Sequence, residues 1–140
     1  LSRSFEYALQ ELMEINRRHF HIQATLDFSL DEGRILPDVA AQLYRIVQEA
    51  MRNAVRHGGA TEVRTVLRAA GGEGGAELSV ENNGLPFELL PEQRAGMGLA
   101  IMEQRARLIG GTLEIGPAEK KWTRLICRFP LQPTLLTGKP

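Results

Sequence analysis

The sequence predicts an α+β fold, a two-layer sandwich in which one mixed sheet is covered on one face by about three helices. Three observations carry this. Apolar residues recur at helical spacing in some stretches and at alternating spacing in others. The strands arrive in adjacent pairs with helices between, in the order α-β-α-β-β-α-β-β, whereas a doubly wound parallel sheet would need strict alternation. Finally, 140 residues with 43% hydrophobic and 24% charged side chains suit one globular core and are too few for two.

Each element has its own signal. Phe5, Ala8, Leu9, Leu12, Met13 and Ile15 fall at helical spacing, which predicts a helix over residues 5–18. Residues 19–30 alternate, with Phe20, Ile22, Ala24, Leu26 and Phe28 on one face, so a half-buried strand is expected there. A second helix is predicted from Pro37, suited to a first helical turn, to His57, where Gly58 and Gly59 stop it. Two strands, 62–69 and 76–81, flank a glycine-rich turn. A polar loop over 82–96 leads to a third helix over 97–109, ended by Gly110 and Gly111. Strands at 112–115 and 123–129 close the domain, expected to span residues 1–130, with a flexible tail over 131–140.

Composition excludes several classes. Lys plus Arg equals Asp plus Glu at 17 each, so no basic excess points to nucleic acid or to direct membrane contact. Cys127 is the single cysteine, which leaves no disulfide framework or cysteine-rich metal site and suits a reducing cytoplasm. No stretch approaches the ~20 apolar residues of a membrane span. The chain opens on Leu1 rather than Met, and the expectation is an excised piece of a longer protein.

The second helix is the most informative segment. Leu43, Ile46, Val47, Ala50, Met51 and Ala54 form one apolar stripe, with Arg45, Arg52 and Arg56 on the far side. Glu49, Asn53 and His57 follow at i, i+4 and i+8 along the stripe's edge, where a helix facing a sheet would wall a pocket. An amide oxygen is a hard ligand suited to Mg²⁺, which takes only one or two protein groups beside water and phosphate. A carboxylate one turn away can orient a nucleophile or accept its proton. Downstream, Asn82-Asn83-Gly84 ends a strand, and Gly96-Met97-Gly98-Leu99 precedes a helix, where glycines allow a backbone to approach phosphate closely.

Taken together and in this order, these segments resemble the N box and the two glycine boxes of the GHKL ATPase superfamily. Residues 43–57 and 96–115 resemble histidine kinases of the NarX and DesK type, and the likeness extends over about residues 5–130. It implies a Bergerat fold with ATP between helices and sheet under a lid over residues 85–95. It implies Asn53 as the Mg²⁺ ligand and Glu49 as the acid near the γ-phosphate. Arg56 and His57 would face the phosphates, with Gly84, Gly96, Gly98 and Leu99 shaping the lid and phosphate wall. Asn82 would accept from the adenine amino group, and Thr123 is a further expected nucleotide-binding residue. The implied partners are a phosphoacceptor histidine on a dimerisation helix outside this chain and a response regulator. The implied location is cytoplasmic, whether or not the parent protein is anchored in the inner membrane.

Three positions depart from the family pattern: Asn82 stands for its Asp, Pro86 for a glycine, and Trp122 for a glycine before Thr123. They support one other reading, a non-catalytic Bergerat-fold docking module. A second, a serine kinase of the anti-sigma-factor type, shares the Glu49-Asn53-His57 stripe, although Met102, Arg105, Ala106, Gly110 and Gly111 favour the histidine-kinase branch. His19 and His21 lack the acidic residue and following amphipathic helix of an acceptor motif.

Overall fold

The structure is a computed structural model that describes residues 4–72, 74–85 and 92–132, with side chains of the last segment from residue 98 onward. Helix α1 (Phe5–Phe20) leads to β1 (Gln23–Ser29), α2 (Pro37–Arg52), β2 (Glu62–Ala69) and β3 (Gly75–Asn82). Helix α3 (Glu92–Leu108), β4 (Thr112–Pro117) and β5 (Thr123–Pro130) complete the chain. The five strands form one mixed sheet in the order β1-β2-β3-β5-β4. Only β1 and β2 are parallel, because the connection between them is long enough to carry α2 across the sheet. All other pairs are antiparallel.

Strand alternation decides which face is covered. Val63, Thr65 and Leu67 of β2 are buried, as are Ala76, Leu78, Val80 and Asn82 of β3 and Thr123, Leu125, Cys127 and Phe129 of β5. Register sets these side by side: Leu67 opposes Leu78, and Leu78 opposes Cys127. Onto this face pack Leu9, Leu12 and Met13 of α1, Leu43, Ile46, Val47, Ala50 and Met51 of α2, and Met102 and Ala106 of α3. The sulfur of Cys127 lies so deep that burial pushes its thiol up to about 11. The opposite face is polar. There Arg124 meets Glu81 at 2.6 Å, and Arg128 bridges Glu77 at 3.2 Å and Glu114 at 3.0 Å.

Several strand ends shift by a residue or two, and the larger differences from the sequence reading each have a local reason. The first helix runs on through His19 and Phe20, and the strand begins only at Gln23. His21 takes the left-handed conformation (φ 54°) as the helix cap, so the apparent alternation from residue 19 joined a helix end to a strand start. The α-helical part of the second helix stops at Arg52, and a wider π-helical turn carries the chain through Asn53–His57. The third helix begins at Glu92, so Gly96 and Gly98 lie inside it rather than before it, and residues 92–95 of the expected lid are helical. Residues 86–91, with Pro86, and the tail beyond 132 lie outside the described residues. Leu131 and Gln132 are bonded to the domain through Gly74 and Arg34.

A one-sided core makes a simple contrast. Leu78→Ala should lower unfolding free energy by about 2–5 kcal/mol. Ile126→Ala, on the open face, should cost less than about 1.5 kcal/mol, both read from urea denaturation.

Candidate active site

The edge of α2's apolar stripe meets α3 at a single glycine. A Cβ added to Gly98 would stand 2.7 Å from Glu49 Oε2 and 2.8 Å from Asn53 Nδ2. With no side chain at 98, α3 lies against the carboxylate and the amide together without displacing the ends of either. Asn53 is 2% exposed, and Glu49 is half-buried. The spacing of four residues therefore does bring these two groups onto one wall, facing the second glycine element.

Burial leaves unsatisfied chemistry here. Asn53 Nδ2, His57 Nδ1 and Thr65 Oγ1 are buried and have no hydrogen-bond partner among the described residues. Buried polar groups are nearly always paired, and exceptions concentrate where a ligand or water completes the set. The π-helical turn adds to this, since such turns are rare and recur at functional sites. It opens at Asn53, so Gly58 N donates to Asn53 O at 3.0 Å across five residues.

The end of β3 is fastened to this turn. Leu85 N donates to Gly58 O at 2.9 Å, and a Cβ on Gly84 would meet Gly58 O at 2.7 Å and Ala60 N at 2.9 Å. Asn83 accepts at Oδ1 from Thr61 N (2.9 Å) and Glu62 N (3.0 Å), and its Nδ2 donates to Thr61 Oγ1 at 2.9 Å. Asn82, buried, accepts at Oδ1 from Gly84 N at 2.8 Å. Across the ladder Asn82 stands opposite Thr123, which is also buried, so two expected nucleotide-binding residues are direct neighbours on the helix-covered face.

The other expected positions scatter. Arg56 is exposed, with its guanidinium 5.6 Å from the ring centroid of Phe20 at the end of α1, away from Glu49 and Asn53. Leu99 is half-buried beside Gly98, and Gly96 lies in the same helix. Trp122 turns to the open face of the sheet, where Arg64 stacks over its ring at 4.3 Å, so it does not fill the pocket side. His19 and His21 are both exposed at the end of α1.

Sequence reasoning missed three contributors. Gly58 was legible only as a helix stop, yet its carbonyl receives the β3 loop. Asn83 was legible only as part of a strand end, yet it clamps Thr61 and Glu62. Thr65 carried no signal beyond being a polar residue at an inward position of an alternating strand.

Residues 38–133 match the family described as histidine kinase-, DNA gyrase B-, and HSP90-like ATPase. The sensor histidine kinase LiaS of Bacillus subtilis is 31% identical over 125 residues, covering 89% of this chain and 34% of LiaS. The crystal structure of the ATP binding domain of PrrB from Mycobacterium tuberculosis aligns with a TM-score of 0.70 at 28% identity, over 94% of this chain and 96% of that one. Full-length ShkA in complex with AMPPNP shares the fold, with a TM-score of 0.73 at 22% identity, over 96% of this chain and 31% of ShkA. The chain thus spans about a third or less of the curated relatives it matches. A sheet covered on one face by three helices agrees with that match in architecture. The chain belongs to the histidine kinase-, DNA gyrase B- and HSP90-like ATPase family, and within it is a catalytic ATP-binding domain of the sensor-histidine-kinase kind.

Proposed function

We propose that this domain binds Mg-ATP at the Asn53–Asn82 end of the sheet and presents the γ-phosphoryl group to a histidine on a dimerisation helix outside the chain. A nitrogen of that imidazole attacks phosphorus, the bond to the β-phosphate oxygen breaks, and ADP leaves. The phosphoryl group then passes to an aspartate of a response regulator. The observation that carries the reading is the buried, incompletely bonded Asn53 amide beside Glu49, under a helix that approaches both at Gly98.

Each residue has a role that its surroundings support. Asn53 would offer its amide oxygen to Mg²⁺, and His57 offers Nδ1, buried without a partner among the described residues, toward the phosphates. Among the described residues no group of three His, Cys, Asp or Glu is placed to hold a metal. That composition fits an ion held chiefly by phosphate oxygens and water. Mg²⁺ would supply charge neutralisation of the polyphosphate. Glu49 orients the attacking imidazole and takes its proton. Asn82 and Thr123 hold the base, Gly84 keeps the loop tight against Gly58, and Gly96, Gly98 and Leu99 form the wall above the phosphates. Arg56, stacked on Phe20, has no phosphate contact in this reading. Among the described residues no helix is long and apolar enough to cross a membrane.

Calorimetric titration with a non-hydrolysable ATP analogue tests the site. Saturable binding is expected, weakening at least about tenfold when Mg²⁺ is withheld or in Asn53→Ala. Absence of binding at millimolar nucleotide would overturn the proposal. In the parent kinase, Glu49→Gln should keep nucleotide affinity within about threefold while slowing autophosphorylation by about 10²-fold or more. A parallel loss of affinity and rate would assign Glu49 to binding instead.

A further inference from the structure

A groove of about 740 Å³ runs between α1 and α2 and shares no residue with the nucleotide site. Its floor is apolar: Phe5 and Ala8 of α1, Ile35, and Ala40, Ala41 and Tyr44 of α2. One end of it is firmly built. Glu32 Oε1 accepts from Phe5 N at 2.8 Å, which ties the start of α1 to the short turn Glu32–Arg34. The Phe5 ring stands edge-on to Phe28, with ring centroids 5.8 Å apart. An apolar concavity of this kind gains free energy when a second apolar segment covers it. The chain itself passes beside it. Leu131 N donates to Gly74 O at 2.9 Å, and its side chain packs against the core. Gln132 N then donates to Arg34 O at 3.0 Å, and Gln132 O accepts from Arg34 Nε at 2.8 Å. Arg34 directly precedes Ile35 and follows Glu32 by two residues, and both of those line the groove.

We propose that residues 133–140 fold back over this groove, with Leu135 and Leu136 seated on its apolar floor. They are the only large apolar side chains in a segment that otherwise holds Pro133 and Thr134 before them and Thr137, Gly138, Lys139 and Pro140 after them. A leucine pair among turn-forming and polar residues suits a short clip, and it has the period of neither a strand nor a helix. Reach suffices. Three extended residues past Gln132 span up to about 10 Å. Pro37 and Tyr44 are separated by roughly the same 10 Å along α2. Pro133 restricts its own φ and the conformation of Gln132, so ordering the first residues forfeits less entropy than in an unrestricted chain. The short tether also holds the leucines at high local concentration beside the groove, an advantage that a separate partner lacks. The lining continues along α2 as far as Gln48, which precedes Glu49. A seated segment therefore braces α1 against the stretch of α2 that carries the carboxylate.

The test is solution NMR on the 140-residue chain, as the wild type and as Leu135→Ser/Leu136→Ser. In the wild type, nuclear Overhauser contacts are expected from the Leu135 and Leu136 methyl groups to the Tyr44 ring and the Ala40 methyl group. The double variant should shift the Tyr44 and Ala40 resonances and raise the unfolding equilibrium constant in urea by at least about tenfold. Absence of those contacts in the wild type overturns the inference, as do Tyr44 and Ala40 resonances that the double variant leaves unmoved. If the double variant does not fold, the wild-type contacts decide. Contacts seen only between an isotope-labelled and an unlabelled copy give the groove to a second chain, and contacts from residues 1–3 in place of the leucines give it to the start of this one. Either result overturns the inference, and none of them bears on nucleotide binding.

Discussion

The seam between the end of β3 and the end of α2 is the constraint on which the site depends. Leu85 N bonds to Gly58 O, Asn83 binds both the backbone and the hydroxyl at Thr61, and Gly84 leaves no room for a side chain between the two segments. A helix and a sheet packed only by apolar contact can slide, since dispersion and burial are not directional. Directional bonds at this corner fix the height of Asn53 and His57 over Asn82 and Thr123. The rest of the core then serves to hold that corner rigid.

The two faces of the sheet divide the labour. The inward face is apolar except at one end, where Thr65, Asn82 and Thr123 stand among Val63, Val80 and Leu125. Polar groups at that density inside a core cost stability unless something completes their bonding. The outward face carries its charges in pairs, as in Arg124 with Glu81 and Arg128 with Glu77 and Glu114, exposed enough to contribute little individually. Trp122 belongs to this outer face through Arg64.

Most of the element order was legible because each element carries its own hydrophobic period. What was not legible follows from interactions between elements. The period-two signal could not separate the end of α1 from the start of β1, because His19 and Phe20 happened to continue the alternation while His21 turned left-handed. The start of α3 was missed since Glu92, Gln93 and Arg94 carry no apolar periodicity, and two glycines in the next turns read as a loop. In the site, Glu49 and Asn53 were legible as neighbours because four residues is a helical turn. The adjacency of Asn82 and Thr123 required knowing that β3 pairs with β5, which no local pattern states. The widened turn at Asn53–His57 has no sequence signature at all, and it lies in the segment that turns Arg56 toward Phe20.

Gly98 answers two demands that pull in opposite directions. Close approach to Glu49 and Asn53 requires the smallest residue, and that residue is among the poorest helix formers, about 1 kcal/mol worse than alanine. Gly96 doubles the penalty within one turn. The helical windings that seal the carboxylate and amide are thus the ones whose unwinding costs least, while the far end of α3 is anchored by Met102 and Ala106 in the core. The helix end that covers the carboxylate and the amide is thus held against the conformational entropy of two glycines.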